Sequence, residues 1–153
     1  MPFATAGELL AAKDRAPLTV SSGAAAVDAL QIMDEEDIGF LPVVDGGKLV
    51  GVVSERDIAR GVVLRQRVFV RDIMATHVHT VALSAKVPDC LAIMQRERIR
   101  HLPVVSGGIV SDGALHGVLS MRDLTGTLIE RHERLLRKLG EERVMLLFPS
   151  GAY

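Results

Sequence analysis

The run Gly51-Val52-Val53-Ser54-Glu55-Arg56-Asp57 returns as Gly117-Val118-Leu119-Ser120-Met121-Arg122-Asp123. In both, an aliphatic stretch feeds Ser-x-Arg-Asp, which reads as a strand end entering a helix start. A helix N-terminus exposes unpaired N–H groups and the positive end of the dipole, a favourable seat for an anion such as phosphate. A Ser hydroxyl there can bond a phosphate or ribose oxygen. An Asp three residues on lies one turn away on the same face. Its carboxylate accepts hydrogen bonds from a ribose diol and repels a phosphate placed directly on it. Ser54 with Asp57, and Ser120 with Asp123, therefore suit a nucleoside whose sugar meets the carboxylate and whose phosphates lie to one side. The same spacing is that of a capping box, in which Ser accepts the N3 backbone N–H and the acid reaches back. Both readings stand at this point, since duplication copies a cap as readily as a grip.

Arg56 and Arg122 follow each Ser by two. They read either as solvated helix-face cations or as forks that match phosphate oxygens. Arg98-Ile99-Arg100-His101 offers three potential cations where the first half has Asp37-Ile38-Gly39-Phe40. Two sites built from these segments would not be equivalent. Catalysis finds little support: His77, His79, His101, His116 and His132 lack zinc-site spacing, and no phosphate-binding Gly loop or Gly-x-Ser-x-Gly occurs. His77 and His79 read as surface loop, and Cys90 as a small buried hydrophobe.

These motifs sit inside a duplication. Val20–Val44 lies over Val81–Val105 with Val20, Ala24, Asp28, Leu30, Ile32, Met33, Glu36, Ile38 and Leu41-Pro42-Val43-Val44 identical. The offset then grows by five within Ser106–His116, which marks that stretch as a surface loop. Upstream, Gly7–Ala11 resembles Arg71–Ala75. The reading is two units, 5–65 and 68–128, with a helix and tail over 129–153. Each unit is expected as strand, helix, strand, strand, helix, an α+β fold packed about a pseudo-two-fold axis. Thr19-Val20 is a short strand, and Ser22 and Ser84 are candidate helix N-caps. Ala26, Ala29, Leu30 and Met33, and Val87, Leu91 and Met94, form apolar helical stripes. Gly39 is a stop signal. Phe40–Val44 and Leu49–Val53 flank a Gly-Gly turn, and Ser54 opens a helix carrying Ile58, Val62 and Leu64. Thr125–Leu139 is a charged amphipathic helix ended by Gly140. Its Leu128, Leu135, Leu136 and Leu139 face either the parent domain or a partner copy.

The chain has 153 residues, 48% of them hydrophobic and 3% aromatic, with formal charge −1. This is a globular composition, and it excludes bulk-charge binding to nucleic acid; a basic segment at Arg96–Arg100 keeps a nucleic-acid reading in play as an unfavoured alternative. One cysteine forms no internal disulfide. No apolar run reaches a membrane span, and Met1–Leu10 lacks a cationic leader, so a cytoplasmic protein without a membrane partner is expected.

Two tandem units with Thr-Val, an amphipathic helix, aliphatic-Pro-Val-Val, a Gly turn and Gly-Val-aliphatic-Ser-x-x-Asp resemble a pair of CBS domains, a Bateman module, over about residues 5–128. The resemblance implies a non-catalytic regulatory module that needs no cofactor. Its effector would be an adenosyl ligand (AMP, ADP, ATP, S-adenosylmethionine or NAD) in clefts between the units. It also implies a homodimer and control of an enzyme, channel or transporter; with no catalytic domain expected in this chain, the regulated protein is read as a separate partner. Carried residue by residue, the phosphate and ribose contacts are Ser54, Asp57, Ser120 and Asp123. The adenine edge is Thr19-Val20 and Thr80-Val81. The base pocket is Phe40, Leu41 and Pro42 with His101, Leu102 and Pro103, and the phosphate cations are Arg56, Arg100, His101 and Arg122. Gly39-Phe40 departs from the family pattern. The alternative reading is a ligand-free interaction scaffold.

Overall fold

A computed structural model of the chain describes residues 5–108 and 113–147, with side chains through residue 140. The middle of the longer loop (109–112) and the end of the tail (148–153) lie outside the described residues. The elements are α1 (Ala6–Lys13), α2 (Ala26–Glu35), β1 (Phe40–Asp45), β2 (Lys48–Ser54), α3 (Glu55–Ile58) with a π-helical continuation (Ala59–Leu64), α4 (Val70–Ile73), α5 (Val87–Glu97), β3 (His101–Val105), β4 (Leu115–Ser120) and α6 (Met121–Leu147). The fold is α+β and built from two like units, each a β-hairpin with its helices.

Alternating burial explains the hairpins. In β2, Leu49, Gly51 and Val53 point inward while their neighbours are partly exposed, the period of two of a half-buried strand. Gly46 and Gly47 both have positive φ (55° and 79°), as a two-residue turn of the hairpin type demands. Val20 adds one parallel bridge to Val43, and Val81 one to Val104. The expected Thr-Val strands are thus single bridges.

Each unit's core is closed by a helix from the other end of the repeat. The amides of Ala6 and Gly7 donate to the carbonyls of Ala85 and Leu83, both at 2.8 Å. Ala6 and Leu9 then join Val81, Val87, Cys90, Met94, Leu102 and Leu119 in the second core. Reciprocally, Val70 of α4 joins Val20, Met33, Leu41, Val43 and Val53 in the first. Gly117 and Gly51 let this happen: a Cβ at Gly117 would lie 2.8 Å from Leu10, and one at Gly51 would lie 2.8 Å from the Ala75 carbonyl.

This exchange overturns the expected helix caps. The N-caps are Ala25 and Lys86, with no side-chain cap. Ala25 bridges Phe69 and Lys86 bridges Thr5, while the Ala26 amide donates to the Val68 carbonyl. Backbone from the exchanged segments lies where a Ser cap would sit. Ser22 instead bonds Asp45, through its amide at 3.0 Å and its hydroxyl, and these two bonds hold the Asp45 carboxyl below its usual range. Nor does Gly39 stop α2; that helix ends at Glu35 with Glu36 as its C-cap, and Asp37 turns the chain with φ 52°.

Two further expectations are corrected. The stretch after Ile58 is π-helical, so the apolar stripe does not continue. Gly61 is buried, whereas Val62, Val63 and Leu64 face outward. Gly140 does not end the last helix, which runs on to Leu147; the Glu141-Glu142-Arg143 that follows favours helix, and one interior glycine costs only about 1 kcal/mol.

Gly61 meets α4 so closely that an added Cβ would lie 2.1 Å from Ile73 Cγ2. Gly61→Ala is expected to destabilise the chain by a net ~1–3 kcal/mol. That overpacking outweighs the roughly 1 kcal/mol alanine gains over glycine in a helix. A lowered urea midpoint at unchanged slope is the check; an unchanged midpoint contradicts the close approach.

Candidate functional site

Two clefts related by the repeat run between the units. The first holds Ser54, Arg56 and Asp57 at the mouth of α3, faced by Ala75, His77, Val78, His79, Arg98, Ile99, Arg100, His101 and Pro103; its volume is about 690 Å³. The second holds Ser120, Gly117 and Val118, faced by Leu10, Lys13, Arg15–Leu18, Ile38, Phe40 and Pro42, in about 220 Å³. Each Ser-Asp pair therefore looks across at strand residues of the opposite unit. Phe40 and His101, equivalent in the repeat, stack with centroids 4.5 Å apart and planes 4° apart. Both rings line both clefts.

Both Ser-Asp pairs make the capping geometry. At α3 the Asp57 amide donates to the Ser54 hydroxyl at 3.2 Å. Asp57 Oδ2 accepts from the Ser54 amide and hydroxyl, each at 2.9 Å. At α6 the Asp123 amide donates to Ser120 Oγ at 3.1 Å, and Asp123 Oδ2 accepts from the Ser120 amide at 2.9 Å. A cap and a grip are compatible here, because these capping bonds fall on Oδ2. The cap fixes the rotamer, and Asp57, which lines the cleft, keeps Oδ1 outside these bonds.

The electrostatics of the two clefts differ. Lys13 Nζ donates to Asp123 Oδ2 at 2.9 Å and to the Val118 carbonyl at 3.1 Å. Burial works to raise the Asp123 pKa, but the bond from Lys13, that from the Ser120 amide and the Lys13 charge together hold it below the ordinary carboxylate range. Burial lowers the His101 pKa, helped by Lys13 and Arg100 and opposed by Asp123, so the ring in the stack favours its neutral form. The first cleft instead carries exposed Arg56, Arg98 and Arg100 against Glu55 and Asp57. Burial likewise pushes the Cys90 thiol upward, in keeping with an inert core residue.

Of the residues singled out by sequence, the first cleft gathers Ser54, Arg56, Asp57, Arg100, His101 and Pro103, together with Phe40. The second gathers Phe40, Pro42, His101 and Ser120, with Asp123 bonded to Ser120 and Lys13 at its edge. Leu41 and Leu102 are core residues, because in a strand the side chain before the cleft-lining Pro points to the opposite face; the Val20 and Val81 side chains also pack into the two cores. Thr19 is exposed, Thr80 donates to the Gly108 carbonyl at 2.8 Å, and Arg122 lies on the outer surface. None of these seven side chains lines a cleft; the adenine-edge expectation for the two Thr-Val pairs concerns their backbone. Leu10, Lys13, Ile38, the 16–18 segment and His77–His79 were missed. The signal was present: carrying the Gly7–Ala11/Arg71–Ala75 alignment two residues further sets Lys13 over His77.

The sequence matches the CBS domain family over residues 7–64 and again over residues 70–130. The chain belongs to the CBS domain family. Among solved structures, a putative signal-transduction protein with CBS domains from Burkholderia ambifaria superposes with TM-score 0.73 at 38% identity, over 82% of this chain and 94% of that one. A 17.7 kDa protein of Acidianus ambivalens is 34% identical over 117 residues, 75% of this chain and 69% of the relative. The CBS domain pair of protein MJ0100, in complex with 5′-methylthioadenosine and S-adenosyl-L-methionine, superposes with TM-score 0.69 at 25% identity, over 76% of this chain and 91% of that one. This is a tandem CBS pair, and adenosyl compounds are bound by a homologous pair. Among the described residues no helix is long and apolar enough to cross a membrane.

Proposed function

We propose that this CBS pair is a non-catalytic regulatory module. It senses an adenosine-containing ligand (AMP, ADP, ATP, S-adenosylmethionine or NAD) in its inter-unit clefts and signals to a separate cytoplasmic partner protein. One observation carries the reading: each Ser-Asp pair at a helix start faces, across a cleft, the aliphatic and ring residues of the opposite unit. The carboxylate suits a ribose diol, Ile99 and Pro103 suit the flat apolar base, and Arg56 and Arg100 suit phosphate. The adenosyl ligands of the MJ0100 pair support it. The exposed Val62, Val63 and Leu64 beside the first grip are proposed as part of a homodimer face.

Calorimetric titration of AMP, ATP, S-adenosylmethionine and NAD is the test. At least one is expected to bind, and Asp57→Ala combined with Asp123→Ala is expected to abolish that binding. Unchanged affinity in the double variant, or no thermal stabilisation by any of the four, rejects the reading. A scaffold without ligand is the second reading, favoured by the unpartnered Leu135, Leu136 and Leu139 on α6.

A further inference from the structure

The repeat makes the two clefts equivalent by descent, yet their ribose-facing carboxylates are not in the same state. We propose that Lys13 is a latch on the second cleft, so that the chain at rest takes one adenosyl ligand, in the Asp57 cleft, and the Asp123 cleft opens only when Lys13 lets go. The proposal rests on the adenosyl reading above.

Three observations converge on it. First, Lys13 reaches from the end of α1, in the other unit's sequence, to bond both Asp123 Oδ2 and the Val118 carbonyl. The bonds to Asp123, like those to Asp57, fall on Oδ2, so the difference is the ammonium itself: a sugar diol arriving at Asp123 must share the carboxylate with Lys13, whereas the residue aligned with Lys13 in the first cleft is His77, and no bond joins it to Asp57. Second, the sizes differ in the matching sense. A cleft of about 690 Å³ lies within the roughly 300–1,000 Å³ range of small-molecule sites, and one of about 220 Å³ lies below it. Third, the latch is held by its surroundings. Asp14 adopts φ 44° and caps α1 through its amide to the Ala11 carbonyl, so the helix end stops with Lys13 over Asp123. The segment that follows, Arg15 to Leu18, forms the wall of the same cleft, and Arg15 is tied to Glu36 by an ion pair.

The latch is built to be movable. The Lys13 side chain is 38% exposed and that of Asp123 23%, so the pair is worth far less than a buried one. A ligand or partner that draws Lys13 away would release the second carboxylate. Loading of the two clefts then becomes sequential, with ligand in the first cleft and events at α1 deciding the second.

The test uses 5′-methylthioadenosine, which carries no phosphate for Lys13 to grip, titrated into the full chain. The wild-type chain is expected to bind one equivalent tightly, with any second site at least about tenfold weaker, the scale of a single charge-assisted bond. Lys13→Met keeps the aliphatic stem and removes the ammonium; it should raise the second site to a comparable affinity, giving two equivalents. In an Asp57→Ala background the parent should bind nothing tightly, and adding Lys13→Met should restore one equivalent. That gain of binding is not produced by a misfolded chain, and melting curves confirm each variant is folded. Two equal sites in the wild type, or no change on Lys13→Met, overturns the latch while leaving the adenosyl reading intact. So does weaker binding in Lys13→Met, which would make Lys13 a ligand contact. Absence of binding in all four chains overturns the adenosyl reading and the latch with it.

Discussion

Asp57→Asn is expected to weaken adenosyl binding about 10- to 100-fold while leaving the fold almost as stable as before. The two roles of Asp57 separate in this variant. Its Oδ2 accepts from the Ser54 amide and hydroxyl at 2.9 Å, and an asparagine carbonyl can accept the same bonds. What disappears is the negative charge. Hydrogen bonds to charged groups contribute ~1.5–3 kcal/mol, and each 1.4 kcal/mol is about tenfold in affinity. Ser54→Ala is the converse change. It removes the acceptor of the Asp57 amide and is expected to lower stability by about 1 kcal/mol, as loss of an N-cap does. Calorimetric titration with the ligand found most active, paired with thermal melts, reads both quantities. If Asp57→Asn binds as the parent does, the carboxylate is only a cap and the sugar is held elsewhere.

That separation matters because the sequence alone left cap and grip as alternatives. The geometry shows the cap; on the proposed reading the same carboxylate is also the grip. An Asp locked by its own helix start has lost its rotamer freedom before a ligand arrives, so less entropy is lost on binding. The duplicated Ser-x-Arg-Asp was legible because a helix start demands a capping pair at fixed spacing. The hairpins were legible for a similar local reason: Leu-Pro-Val-Val, a Gly-Gly turn and Gly-Val-aliphatic-Ser encode strand period and turn type within fifteen residues.

What could not be read was everything decided by contact across the chain. Ser22 and Ser84 looked like caps because capping is the local use of serine ahead of an apolar stripe. Backbone from Phe69 and Thr5, more than forty and eighty residues away, holds those positions instead. Leu41 and Leu102 looked like pocket residues because they neighbour Pro42 and Pro103, but strand alternation sends them into the core. Lys13 was passed over because it lies in the segment that resembled its counterpart least. Its role comes from α1 crossing to the other unit, a fact of tertiary structure. The change from α to π helix after Ile58 leaves no local mark beyond Gly61, whose missing side chain admits Ile73.

The exchange of α1 leads to the largest expected stability effect. Leu9→Ala should destabilise the whole chain by ~2–5 kcal/mol, lowering the melting temperature by roughly 5–15 °C for a chain of this size. Leu9 lies in the first turns of the sequence, yet it is 6% exposed within the core that holds Cys90, Met94, Leu102 and Leu119. An α1 loose at the surface would make the same change worth within about 0.5 kcal/mol. The transition should stay single. Each unit borrows a helix from the other, Leu9 into the second core and Val70 into the first, so neither can unfold without opening its neighbour. A calorimetric scan in which only one of two separate transitions moves would mean the units melt independently and the exchange does not couple them. Coupling is also what the proposed sensing role requires. A ligand seated between the units changes the equilibrium of both only if both share the elements that hold it, and here α1 ends at Lys13, on the rim of the second cleft.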